Sequence, residues 1–168
     1  FTNGTSVDTL NAAGFSAITT TQADAKYVAL AGSQTVTGAK TFTSAVTMTG
    51  NAAFTGSVQV STAVNVNTVT LTDAASIVPS FDAGNTFVVT LGGNRTLAAP
   101  TSANIGQSGS IRVIQDATGG RTLSYNSAWQ FVSGSAPTMD TSAGAQSILV
   151  YSVRSATTID AVMIHDLK

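Results

Sequence analysis

Cysteine and glutamate are absent from this sequence, and charged residues of any kind are scarce. Only 9% of its 168 residues are charged, with seven Lys and Arg against eight acidic residues, all of them Asp. An ordinary soluble domain has about 25% charged residues. Without cysteine the chain forms no disulfide and no thiolate metal site. A net charge of −1 provides no basic surface for nucleic acid.

Long apolar runs and strong helix formers are missing as well. No apolar run approaches the roughly 20 residues that a helix needs to cross a bilayer. The lack of glutamate, with little leucine and lysine, argues against long helices and coiled coils. Thr, Ser, Ala and Gly instead make up just over half of the chain. Because frequent Thr and Val favour strands, we expect an all-β protein.

Composition and patterning divide the chain into three parts. Residues 1–35 are polar and predict a neck or attachment segment with one short helix near residues 22–30. A helix of about ten residues is marginal alone, so it needs a partner to pack against. Residues 36–72 predict a repetitive β shaft, and residues 73–168 predict a C-terminal β knob.

The second part alternates strictly between polar and apolar residues. Every large apolar side chain from residue 42 to residue 66 stands at an even position, as in strands with one buried and one solvated face. The units TGAKTFTSAVTM (37–48) and TGNAAFTGSVQV (49–60) repeat one another, and one unit alone carries too thin an apolar stripe to support itself. The pattern predicts a homotrimer whose intertwined β-strand shaft buries this stripe around a threefold axis; a hairpin pair in a globular sheet is the alternative. The predicted trimer core consists of Phe42, Val46, Met48, Phe54, Val58, Val60, Val64 and Val66.

The third part is richer in large apolar residues and contains several strand patterns separated by Gly-rich turns. Short strands with such turns are typical of a small β-sandwich or jelly roll. The stretch IRVIQDATGGRTLSY (111–125) predicts a hairpin through Gly119 and Gly120. The predicted strands are Thr86–Leu91, Ser110–Ile114, Arg121–Tyr125, Ser147–Val153 and Thr158–Ile164.

Two stretches resemble bacteriophage fibre proteins. Residues 24–50, DAKYVALAGSQTVTGAKTFTSAVTMTG, resemble a fibre shaft entry, where a Tyr-x-x-Leu-x-Gly segment leads into Thr-Gly-x-x-Thr-Phe units. Residues 85–131 resemble a small β domain at the ends of phage tail or head fibres and spikes. The resemblance implies a homotrimeric protein on the virion surface, joined to other virion proteins at its N-terminal end. Its C-terminal knob would attach to a glycan or outer-membrane component of the host, with no nucleic acid bound and no membrane insertion.

Candidate contacts to the host lie around the predicted hairpin. Tyr125, Asn126 and Trp129 follow it, and aromatic rings beside amides are a common way to hold sugars or proteins. Asp116 and Arg121 flank its glycine turn, either as a cross-strand ion pair or as polar contacts on a distal loop. These five residues are the predicted receptor contacts. For Trp129, as for the neighbouring Phe131, packing in the core or between chains is the alternative.

Catalysis and metal binding have little support in the sequence. Glycoside hydrolysis needs two carboxylates beside the bond, whereas most of the eight Asp stand in turn-like settings that favour aspartate for its local hydrogen bonds. We expect no catalytic residue, no metal and no cofactor. His165 is expected at a solvated strand end, and a ring of three copies that binds a metal or an anion is the alternative. For the whole protein, the alternatives are a spike with glycan-depolymerising activity and an architectural protein without a receptor.

Overall fold

The computed structural model describes residues 39–50 and 52–167, so the predicted neck and its helix lie outside the described residues. Within these residues the chain is all β, apart from a 3-10 turn at Val132–Gly134. The all-β prediction is therefore confirmed for this part of the chain. None of the described residues belong to a helix that is long and apolar enough to cross a membrane. The strands are β1 (Thr68–Thr70), β2 (Ser76–Ile77), β3 (Thr86–Leu91), β4 (Arg95–Leu97), β5 (Ser108–Gln115), β6 (Leu123–Tyr125), β7 (Trp129–Gln130), β8 (Gln146–Ser155) and β9 (Thr158–Leu167).

The chain divides into two units, Phe1–Val58 and Gln59–Lys168. In the first unit the described residues, 39–50 and 52–58, contain no strand and no helix. Phe42 is 71% exposed and Phe54 is 62% exposed, so the single chain does not bury their rings. Packing of these residues against other copies of the chain stays a prediction.

The second unit begins with residues 59–67, which likewise contain no strand. It leaves Val60, Val64 and Val66 between 49% and 71% exposed. Strand β1 starts immediately afterwards at Thr68, which is where the even-position alternation of the sequence breaks. The eight side chains of the predicted trimer core, called the apolar row below, are thus all exposed in the single chain.

The strands of the second unit alternate between two sheets. β1, β3, β5 and β7 belong to a six-stranded sheet of order β1-β3-β5-β8-β9-β7, while β2, β4 and β6 form a three-stranded sheet. Successive strands within each sheet pair in parallel from β1 to β5 and from β2 to β6. Each passage through both sheets is therefore one coil of a short parallel β-solenoid, stacked on the next coil. Beyond these coils, β8 pairs antiparallel with both β5 and β9, and β7 then pairs in parallel with β9.

This topology confirms most predicted strands and corrects their connection. The strand over Thr86–Leu91 has the predicted bounds, and β5, β8 and β9 contain three other predicted strands. The two packed sheets agree with a sandwich, but their parallel pairing differs from a jelly roll, which is antiparallel. The predicted hairpin over 111–125 is wrong, because β5 and β6 lie in different sheets. Both edges of β5 are already occupied, by β3 and by β8, so β6 has no edge of β5 to pair with.

One hydrophobic core lies between the two sheets. Alternate residues of β3, β5 and β8 point inward, and they meet Ile77 and Leu97 from the smaller sheet. Aromatic rings fill the centre: Phe81 stacks on Tyr151 with centroids 4.5 Å apart, and Trp129 packs edge-on against both rings. Burial raises the pKa of Tyr151 to about 12.

The close packing of β5 against the loop before β3 depends on one glycine, Gly109. The backbone carbonyl of Asn85 passes directly over Gly109 and accepts hydrogen bonds from Ser110 N (2.9 Å) and Tyr151 Oη (3.1 Å). A Cβ at Gly109 would overlap this carbonyl oxygen and would stand 2.7 Å from both the Asn85 carbonyl carbon and Tyr151 Oη. Position 109 therefore requires glycine for close approach of two backbone segments.

Candidate functional site

The turn between β5 and β6 uses its charges to hold its own shape. Asp116 Oδ1 accepts hydrogen bonds from Thr118 N (3.0 Å) and Gly119 N (2.8 Å), and Asp116 Oδ2 accepts one from Arg121 Nη2 (2.7 Å). The Arg121 guanidinium holds the pKa of Asp116 below its usual range. The buried Gln115 side chain bonds the backbone N–H and C=O of Arg121. Asp116 and Arg121 thus form the ion pair that the sequence suggested, within a turn instead of across two strands.

The aromatic residues at the end of β6 and just after it lie mostly inside the unit. Trp129 is only 3% exposed, and its indole Nε1 donates a hydrogen bond to the Ala98 carbonyl (2.8 Å). It is a core residue, which removes its ring from the predicted receptor contacts. Tyr125 is half-buried against Phe131, with ring centroids 4.7 Å apart, and burial raises the pKa of its hydroxyl well above the usual range. Asn126 is the one predicted contact of this group that is exposed.

The five predicted receptor contacts do not converge on one site. Asp116 and Arg121 precede β6, whereas Asn126 follows it. A strand rises about 3.3 Å per residue, so the ion pair and Asn126 stand at opposite ends of β6. A single ligand of monosaccharide size does not reach both ends, and the two groups are separate candidate surfaces.

Three loops meet beside Asn126 and line an open cleft of about 430 Å³. One loop is the exit of β4, the second joins β6 to β7, and the third is the tight turn between β8 and β9. This cleft is called the loop cleft below. It is lined by Ala99, Pro100, Asn126, Ser127, Ala128, Ala156, Thr157 and Ile159.

Hydrogen bonds fix the three loops to one another. Asn126 N donates to the Leu97 carbonyl, and Ile159 N donates to the Ala128 carbonyl, each at 2.9 Å. Asn126 Oδ1 also accepts from Ala128 N at 2.9 Å, which sets the amide orientation. The Asn126 Nδ2 group and the hydroxyls of Ser127 and Thr157 are therefore the side-chain polar groups that the cleft offers to a ligand.

The loop cleft suits a neutral ligand. None of its lining residues is ionisable, and apolar side chains stand beside the three polar groups. Pockets of this kind bind through shape and a few oriented hydrogen bonds. The polar groups of the lining are one amide and two hydroxyls.

Sequence reasoning missed most of the loop cleft. Ala99, Pro100, Ala156 and Thr157 carry no motif, and their proximity depends on pairings between strands that are distant in sequence. Among the residues that the structure describes, no three His, Cys, Asp or Glu side chains cluster as metal ligands would. His165 is exposed on β9. The expectation of no metal and no cofactor stays a prediction.

Comparison with known proteins identifies a family. Residues 54–154 match the family described as "Putative phage tail fibre C-terminal domain". The matched range covers more than half of the chain, and it contains β1 to β7, nearly all of β8 and two of the three loops that line the cleft. No curated protein and no solved structure matches the chain.

Proposed function

Because the chain belongs to the phage tail fibre C-terminal domain family, it is a structural phage fibre protein, and we propose that it acts as a homotrimer that attaches the virion to its host. A tail fibre associates with other virion components, and we propose that residues 1–35 make that connection. Residues 73–168 would stand on the surface of the particle as the knob.

The apolar row carries the trimer proposal. Its eight side chains are 49–71% exposed in the single chain. Burial of apolar surface stabilises a protein by about 25 cal/mol per Å², so the single chain leaves this stabilisation unused. Large apolar side chains that stay exposed together commonly mark an interaction site. Three copies that bring the same row together would form a continuous core from very little sequence, and the resemblance of residues 24–50 to fibre shafts agrees with this arrangement.

Light scattering on the purified chain tests the trimer. We expect a mass of about 51 kDa, three times the 16.9 kDa of one chain. Phe54→Asp should give monomers, because three carboxylates would be forced into the shared core. The matched control Thr55→Asp, at the next exposed position, should remain trimeric. A monomeric wild-type chain, or equal masses for the two variants, would contradict the proposal.

The loop cleft supports host attachment through the C-terminal unit. Its neutral, hydroxyl- and amide-lined surface fits an uncharged sugar residue of a cell-surface glycan. One such contact would be weak, but three per fibre and several fibres per particle would multiply modest affinities by avidity. Hydrogen bonds between neutral groups depend little on salt, which suits a surface protein exposed to media of different ionic strength.

Binding of the labelled protein to an array of bacterial surface glycans tests this assignment. Ala156→Trp would fill the loop cleft and should lower binding to the recognised glycan at least about tenfold. The matched control Ala117→Trp alters an exposed alanine in the Asp116–Arg121 turn and should leave binding unchanged. Loss of binding only in the control would move the receptor site to that turn, and silence of the wild type would favour an architectural protein without a receptor.

We propose no enzymatic activity for this chain. Asp73, Asp116 and Asp160 each pair with an arginine, which lowers the pKa of each carboxyl. A glycosidase needs one carboxylic acid with a raised pKa beside a second carboxylate. Release of reducing sugar ends from a bound glycan during prolonged incubation would contradict this proposal.

A further inference from the structure

The loop cleft has an apolar floor and a polar rim. Ile159 and Ala128 are its most buried lining residues, at 1% and 9% exposed, and they form the floor. Pro100 is half-buried and adds further apolar surface. The exposed polar side chains of the rim are Asn126, Ser127 and Thr157. A ligand group that reaches the floor therefore meets aliphatic side chains, whereas groups nearer to solvent meet hydrogen-bonding partners.

The backbone beside the floor is already hydrogen-bonded within the chain. The Ala128 carbonyl accepts a hydrogen bond from Ile159 N (2.9 Å). The Ser127 carbonyl accepts one from Gln130 Nε2 (2.7 Å). Ala128 N donates to Asn126 Oδ1 (2.9 Å), so the oxygen of this amide is engaged and its Nδ2 group is held as a donor of fixed direction at the rim.

The lining lacks the groups that recognise an unsubstituted sugar face or an acidic sugar. No aromatic ring lines the cleft among the described residues, since Trp129 is buried in the core and Tyr125 packs on Phe131. The apolar face of a pyranose therefore has no ring to stack on. Arg154 and Asp160, on the strands that flank the β8–β9 turn, pair with each other. An acidic sugar would lose hydration in the cleft without gaining an ion pair.

We propose that the loop cleft binds the acetamido group of an N-acetylated hexosamine in a surface glycan. This inference rests on the proposed host attachment. The acetamido methyl group would lie on the floor against Ala128 and Ile159. Its carbonyl would accept a hydrogen bond from Asn126 Nδ2, and its N–H would donate to the hydroxyl of Ser127 or Thr157. A 6-deoxy sugar would bring a methyl group without the carbonyl acceptor, and a plain hexose would bring neither.

Saturation-transfer NMR on the purified chain tests the inference, because it detects weak binding and identifies the ligand protons that contact the protein. The probes are N-acetylglucosamine, N-acetylgalactosamine, glucose, galactose and L-rhamnose. We expect the strongest saturation at the acetamido methyl protons of at least one N-acetylated sugar. The affinity for the other three sugars should be lower at least about tenfold, because they leave the apolar floor or the amide donor without a partner.

Two matched variants isolate the amide donor. Asn126→Asp keeps an oxygen for Ala128 N and replaces the Nδ2 donor by a second carboxylate oxygen, so the affinity for the N-acetylated sugar should fall at least about tenfold. Asn94→Asp makes the same change at the other end of β4, at an exposed residue whose Oδ1 accepts from Thr122 N (3.0 Å). It should bind the sugar as the wild type does. Unchanged binding by Asn126→Asp, or an equal loss in both variants, would overturn the inference.

The outcomes separate this inference from host attachment itself. Glycan binding on the array without preference for N-acetylated sugars would overturn the inference and leave host attachment standing. Strongest saturation at the rhamnose methyl protons would do the same. Silence of the wild type toward every glycan on the array and every sugar in solution would overturn both.

Discussion

Replacement of Gly109 by alanine is the sharpest test of how the coils stack. The added methyl group would occupy the position of the Asn85 carbonyl oxygen and would stand 2.7 Å from Tyr151 Oη. Both obstacles belong to fixed parts of the structure, one to the backbone and one to a buried ring. The strand β5 would have to move away from the loop that contains Asn85.

The magnitude follows from the hydrogen bonds lost. Asn85 O accepts bonds from Ser110 N and Tyr151 Oη, each worth about 1 kcal/mol net, and an unsatisfied buried group costs a further 1–3 kcal/mol or so. We expect Gly109→Ala to lower the free energy of unfolding by about 3–5 kcal/mol. At about 4 °C per kcal/mol for a domain of this size, Tm should fall by about 12–20 °C.

Tryptophan fluorescence is the suitable assay, because Trp129 is the only tryptophan and lies in the core. Thermal unfolding should shift its emission to the red at a lower temperature in Gly109→Ala than in the wild type. Ser108→Ala, at the exposed neighbouring position in β5, is the control and should unfold with the wild type. Equal Tm values for the two variants would refute the close-approach argument.

Two further predictions concern contacts that fix the loops. The hydrogen bond from Arg95 lowers the pKa of Asp73 below 3.8. The ion pair therefore stabilises the fold at pH values above 3.8, and this stabilisation is lost as the pH falls through the lowered pKa of Asp73. Asp73→Asn should therefore unfold at a lower temperature than the wild type at pH 7, with the gap closing in acid; a constant gap across pH would contradict this. Trp129→Phe leaves the Ala98 carbonyl without its indole partner and should cost about 1–2 kcal/mol in a urea titration followed by circular dichroism. An unchanged midpoint would show that the indole bond contributes nothing.

The sequence predicted strands well and their partners poorly. β3 has its predicted bounds because the alternation of Phe87, Val89 and Leu91 with polar neighbours is a local property of the backbone. The error over 111–125 arose because a Gly-Gly turn suits both a hairpin and a crossing to another sheet. Which of the two forms depends on whether β5 has a free edge. Both edges of β5 are paired, one with β3 and the other with β8.

The candidate site was predictable to a smaller degree. The sequence left two roles open for Trp129, a receptor contact or a core residue, because Phe81 and Tyr151, which pack against its ring, come from distant parts of the chain. The loop cleft has no motif, because its neutral side chains matter only through the position of their loops. For residues 42–66, alternation identifies the apolar side of the chain but not what covers it.

The central position of β8 affects the order in which the chain folds. β8 connects to β9 through the two residues Ala156 and Thr157, so this antiparallel pair closes a very short loop. The parallel coils join positions roughly 20 residues apart, as Thr68 with Thr86, and such contacts form more slowly. A growing chain that lacks Gln146–Leu167 has one edge of β5 unpaired, because β8 is the strand that covers it. During synthesis, the open edge of β5 is therefore available to other nascent fibre chains until these two strands have been made.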